Sequence, residues 1–261
     1  MTSKAFAMAM LVAALALPAA GQSAPPAATT QPTAADVGLQ LPDLDSPDEV
    51  GTGVRWLALV TALSVAPAVA VMVTSFTRII VVLGLLRQAL ATQQLPPNQV
   101  LFGLALLMTL VVMSPVLQDM HRDALSPYLA GQASAGEALR AGEGHIRGFM
   151  IRQMESAGNG DEVYAFLPDD LAAGDDLTWR DVPTLSMIPA FVVSELKVAF
   201  TLGFRIFLPF LIVDLLVASI LTSMGMLMLP PVLISLPFKL LLFVLADGWQ
   251  LVVGTLMRSF G

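Results

Sequence analysis

The chain has 261 residues, 56% hydrophobic and 13% charged, with a formal net charge of -7 and a mean hydropathy of +0.77. That balance excludes an ordinary soluble domain and puts the chain in the membrane class. There is no cysteine and only two histidines, His121 and His145, so disulfides, iron–sulfur clusters, thiolate sites and cysteine nucleophiles are excluded, and a zinc site lacks ligands.

Lys4, the apolar run Ala5 to Leu17 and the small residues Pro18-Ala19-Ala20-Gly21 read as a secretory signal over residues 1–21, cleaved after Ala20 or Gly21, with Ala24 as an alternative. The run is short for a membrane span, although an uncleaved anchor is the competing reading. No cysteine follows, which excludes a lipoprotein anchor. Residues 22–53, rich in Pro, Ala, Thr and Asp without apolar periodicity, are expected to form a disordered acidic tail.

Residues 54–117 read as a first helical hairpin. Trp56 to Val73 is apolar, Thr74-Ser75-Phe76-Thr77-Arg78 is a polar break, and Ile79 to Leu86 is apolar again. As one helix this stretch runs to about 45 Å, beyond a hydrocarbon core of about 30 Å, so it must tilt or break. Pro67 favours a kink. Ala58, Ala62, Ala66 and Ala70 recur every fourth residue, which either marks a helix-packing stripe or reflects an alanine-rich composition. A polar link from Arg87 to Gln99 containing Pro96-Pro97 leads into a second span, Val100 to Leu117.

Residues 118–184 form an acidic insertion with weak helical periodicity over Ala133 to Met154 and a Gly/Asp-rich loop after it. It is expected to be too polar to hold a large core of its own. Residues 185–261 read as a C-terminal helical hairpin, whose apolar stretches Leu185 to Leu229 and Val232 to Met257 meet at a Met-rich loop ending in Pro230-Pro231. All acidic residues except Glu195, Asp214 and Asp247 lie before Gly51 or between Asp119 and Asp181. Acidity so placed repels nucleic acid.

Glu195, Lys197, Arg205, Asp214, Lys239 and Asp247 lie inside the C-terminal apolar stretches, and Arg78 lies inside the first hairpin. A charge at a bilayer centre costs about 2.5–3.5 kcal/mol on insertion scales, so Arg78, Arg205, Asp214 and Asp247 are expected to be buried and paired, or to line a wet path. Pro189, Pro209 and Pro237 break the same segments, which is tolerated where protein or water satisfies the freed backbone groups. The expected fold class is all-α: integral membrane helical hairpins with about four hydrophobic segments, broken helices and a soluble insertion. The signal, with slight support from Arg78 and Arg87, puts the tail and insertion outside and the Arg87 to Gln99 link and the Pro230-Pro231 turn inside. No phosphate-binding G-x-x-x-x-G-K-[ST], H-E-x-x-H or G-x-S-x-G occurs, so no catalytic, cofactor or metal site is expected. Asp214 and Asp247 are read as ion-pair or helix-terminus residues in preference to a carboxylate pair.

Ser75-Phe76-Thr77-Arg78-Ile79-Ile80-Val81-Val82-Leu83, Thr92-Gln93-Gln94-Leu95-Pro96-Pro97-Asn98-Gln99, Pro189-Ala190-Phe191-Val192-Val193-Ser194-Glu195-Leu196-Lys197, Pro237-Phe238-Lys239 and Asp247-Gly248-Trp249-Gln250 resemble the FliP family of the flagellar type III export apparatus. The resemblance covers residues 54–128 and 183–260. It implies a non-enzymatic subunit of the protein-export gate in the bacterial inner membrane at the flagellar basal body. It further implies a ring of five copies with one FliR, partnered by FliQ, FlhB and FlhA, much of it raised above the bilayer, through which unfolded flagellar subunits pass. The injectisome counterpart shares these motifs, but the signal and long tail favour the flagellar member. Under this resemblance Met224, Met226, Leu227 and Met228 form a channel seal, Leu227 standing where some relatives are expected to carry methionine. Methionine is flexible and polarizable, so a ring of such loops would close around varied cargo and yield, whereas ordinary core packing is the plainer alternative. Glu195 and Lys239 are expected to pair between neighbouring subunits, or else to be solvated or to pair within one chain. A small-ion or proton transporter using Glu195, Asp214 and Asp247 as a relay competes with the gate, while an intramembrane hydrolase lacks a positioned nucleophile and base.

Overall fold

The computed structural model describes residues 47–92, 95–172, 177–226 and 228–261. The expected signal over 1–21, the tail as far as residue 46, and Leu227 of the seal lie outside them. The chain divides after Leu57 into two units. Of the first, residues 47–57 are described and form the start of a helix, α1, Pro47–Met72. That helix begins inside what the sequence reads as tail, at Pro47, whose fixed φ suits a first helical position.

Every regular element among the described residues is helical. The expected polar break falls at Val73–Ser75, between α1 and α2, Phe76–Ala89. Phe76, Ile79, Val82, Leu83 and Leu86 of α2 are all buried, an i, i+3, i+4 stripe that faces the core. α3, Asn98–Met120, continues through a π-helical turn, His121–Leu125, and one further turn, Ser126–Leu129. The insertion carries α4, Ala135–Ser156, and a 3-10 segment, Gly160–Phe166. α5 runs unbroken for 40 residues, Thr184–Ser223, with Pro189 and Pro209 inside it, a length of about 60 Å. It is followed by α6, Pro231–Leu245, and α7, Gly248–Arg258, which are bent by 65° at their junction. Asp247 has φ 49° at that bend, and a Cβ on Gly248 would lie 2.2 Å from the Phe243 ring, so the turn requires glycine there.

By length and composition, three helical stretches can cross a membrane, Val54–Met72, Asn98–Leu129 and Thr184–Ser223, or four if α6 and α7 form one bent span. Two apolar cores hold the fold. The first joins α2, α3, α5, α6 and α7 through Leu83, Ala105, Ala199, Phe210, Phe243 and Leu256. α2 and α5 approach closely at Gly203, where an added Cβ would lie 2.2 Å from Leu85 Cδ1. The second core joins Met113 and Val116 of α3, Phe149, Met150 and Met154 of α4, and Met187 and Phe191 of α5. The insertion therefore shares a core with the long helices: one face of α4 is apolar enough to pack on them although the segment as a whole is polar.

Candidate functional site

One buried charge cluster, one half-buried charge cluster and one exposed turn make up the candidate site. The first cluster is centred on Arg78 of α2, which is 1% exposed, against Glu195 of α5, which is wholly buried. Arg78 Nε donates to Glu195 Oε2 at 2.8 Å and Nη2 to Oε1 at 2.5 Å, a bidentate pairing. Its remaining donors reach Gln153 Oε1 of α4 at 3.1 Å, and the carbonyl and hydroxyl oxygens of Ser259 at 2.5 and 3.1 Å. The guanidinium also lies 4.0 Å from the centre of the Phe260 ring, and Gln153 Nε2 donates to the Phe260 carbonyl at 3.1 Å. One side chain thus ties α2, α4, α5 and the residues after α7 together. A buried ion pair keeps its charges only when its other polar valences are met, as they are here.

The second cluster joins the two arms of the C-terminal hairpin. Lys239 Nζ of α6 donates to Asp214 Oδ2 of α5 at 2.7 Å, and Ser235 donates to Asp214 Oδ1 at 2.5 Å. Lys239 Nζ also donates to the carbonyl of Ala89, the last residue of α2, at 3.1 Å. That carbonyl belongs to the helix end that lacks intrahelical partners, and the ammonium complements its negative dipole end.

The sequence leaves Glu195 and Lys239 as partners of each other, between subunits or within one chain, or as solvated charges. Within the chain Glu195 takes Arg78 and Lys239 takes Asp214, because each finds an opposite charge on a helix it already packs against. Arg205 and Asp247, expected to be buried, are exposed in the single chain: Arg205 lies beside the exposed Phe204 on α5, and Asp247 sits at the α6–α7 bend. Lys197 is also exposed and pairs with Glu162 of the insertion. Ala58, Ala62, Ala66 and Ala70 are exposed on α1. Ser235 and Gln153 carry no signal in the sequence that would mark them as members of these clusters.

The turn follows the end of α5. Met224 closes the helix, Gly225 adopts φ 75°, and two backbone bonds complete a Schellman cap, Gly225 N–H to the Thr222 carbonyl and Met226 N–H to the Leu221 carbonyl, each 3.0 Å. Pro231 opens α6. Met224 and Met226 are exposed and Met228 is 96% exposed, so in the single chain these methionines are not core residues. Flexible thioethers held out on a capped hairpin tip can fill an irregular gap or seal against a changing surface.

A model of the FliP family matches residues 59–256. Flagellar biosynthetic protein FliP of Bacillus subtilis is 48% identical over 217 residues, covering 82% of this chain and 95% of that protein. The protein of the same name from Pectobacterium carotovorum is 47% identical over 234 residues, 87% of this chain and 88% of its own. That from Aquifex aeolicus is 44% identical over 227 residues, 85% and 92%.

Proposed function

Since the chain belongs to the FliP family, and so is a membrane component of the flagellar export apparatus, we propose that it forms, with FliQ and FliR, the channel through which unfolded flagellar subunits cross the bacterial inner membrane. Five copies and one FliR close a ring next to FlhB and FlhA, with the tail and the acidic insertion on the periplasmic side. The ring brings the methionine turns to one axis, where Met224, Met226, Leu227 and Met228 form the seal.

The observation that carries this reading is the exposed methionine turn on a hairpin whose arms are bound below it by an ion pair between buried Lys239 and half-buried Asp214. Exposed Leu215, Leu216, Leu233, Leu241 and Val244 on α5 and α6 form faces that need lipid or neighbouring chains to cover them. A proton relay is less well supported. Glu195 and Asp214 stand about 28 Å apart along α5 at 1.5 Å per residue, and each is engaged by its own cation.

Replacing Met226 and Met228 together with alanine tests the seal. Conductance across membranes containing the complex should rise, and cells should become sensitive to small solutes, while the size of the complex in detergent stays unchanged. A tight membrane around a normal complex would sink the reading.

A further inference from the structure

Phe210 and Phe243 pack across the C-terminal hairpin with ring centres 6.3 Å apart, and about one helical turn nearer the tip on each arm Asp214 meets Lys239 and Ser235. The clamp lies ten residues before Met224 and eight after Pro231, about 15 and 12 Å from the turn along the two arms at 1.5 Å per residue. Beyond it toward the turn, Leu221 is the one buried apolar side chain on either arm among the described residues. Among those residues, apolar packing at the tip is therefore limited to Leu221 and the half-buried Val217, Ala218, Pro231 and Leu236.

We infer that Asp214 is the positioning residue of the methionine turn: its carboxylate takes the Ser235 hydroxyl and the Lys239 ammonium on its two oxygens and so sets the separation of the arms that carry the seal. Lys239 links the same separation to the end of α2 through the Ala89 carbonyl, so a displacement of α2 is felt at the tip. Asp214 touches no cargo in this account. It acts through the geometry of Met224, Met226 and Met228, and the inference rests on the channel reading for its functional meaning but not for its structural content.

The absence of cysteine makes the test clean. Cysteines placed at Thr222 and Leu233, both exposed, take spin labels one on each arm, and the full chain is purified as its membrane complex after dilution with unlabelled chain so that distances within one chain are read. In the parent a narrow distance distribution is expected. Asp214→Asn should shift it to longer distances and broaden it, with oligomer size unchanged, and should raise conductance as the paired methionine replacement does. If Asp214→Asn yields no complex, Asp214→Leu with Lys239→Met removes both charges together and leaves no buried ammonium unpaired, so the chain folds but has no directional lock, and the same broadening is expected. An unchanged distribution in whichever variant assembles overturns the inference, whatever the conductance. A shifted distribution with a tight methionine double mutant overturns the channel reading alone.

Discussion

Arg78 shows how much one side chain can organise when its geometry is matched. Its five N–H groups all have acceptors, two on Glu195, one on Gln153 and two on Ser259. Lysine offers three donors from a single point and no planar fork, so Arg78→Lys cannot reproduce the bidentate pair and still reach Gln153 and Ser259. Removing one partner of a buried pair strands the other at a cost of about 3–5 kcal/mol. Arg78→Ala should therefore abolish recovery of the complex, and Arg78→Lys should lower its thermal midpoint, with Gln153→Ala giving a smaller loss because a neutral hydrogen bond contributes about 0.5–1.5 kcal/mol. An Arg78→Lys complex of parental stability would show that the fork is not needed.

At the scale of the element, α4 of the insertion begins with a capping box. Ser134 Oγ accepts from the Glu137 N–H at 3.3 Å, and Glu137 Oε2 accepts from the Ser134 N–H at 2.7 Å. The Ser134 backbone and hydroxyl donors hold Glu137 below its ordinary value of 4.5, and the Thr178 hydroxyl and N–H hold Asp181 below its ordinary 3.8. Both carboxylates are lower in the folded than in the unfolded chain. Their contribution is therefore complete above the ordinary values and is lost as pH falls through the folded ones. Hydrogen-exchange protection of the first turn of α4 should decline on acidification below about pH 4.5, the ordinary Glu value, while the Phe149 to Met154 turn, buried in the second core, stays protected. In Glu137→Gln the first turn should be weaker at neutral pH and flat with pH, and an unchanged acid dependence there would remove Glu137 as its cause.

At the scale of the whole molecule, the apolar outer faces of α5 and α6 decide how the chain can exist. A substitution on a solvated surface usually stays within about 0.5 kcal/mol, whereas lysine at the centre of a hydrocarbon-facing helix costs about 2.5–3.5 kcal/mol and lysine in a close-packed subunit contact strands a charge. Leu216, 59% exposed in the single chain, separates these cases. Leu216→Lys should remove the chain from the membrane complex, read as loss of co-purifying partners, while the same change at Leu139, exposed on α4 of the insertion, should be tolerated. Normal complex with Leu216→Lys would mean that this face is open to water.

Much of the local structure can be read from residue order. A polar run at Thr74 to Arg78 ends one apolar helix and starts another, Pro230-Pro231 marks where the second arm of the hairpin begins, and hydropathy alone assigns the all-α membrane class, because backbone groups in hydrocarbon must be satisfied within the segment. The Ser134-to-Glu137 spacing and Gly225 after an apolar run are also local signals, since caps depend on residues three or four apart. Tertiary structure alone decided the partners of the charges. Arg78 meets Glu195 across 117 positions and Lys239 meets Ala89 across 150, and in helices apolar on nearly every side no amphipathic period marks which face packs inward. The same ambiguity hid that Arg205 and Asp247 lie outside while Arg78 and Lys239 lie inside: a charge in an apolar run reports that a cost must be met, and only the fold supplies the neighbour that meets it.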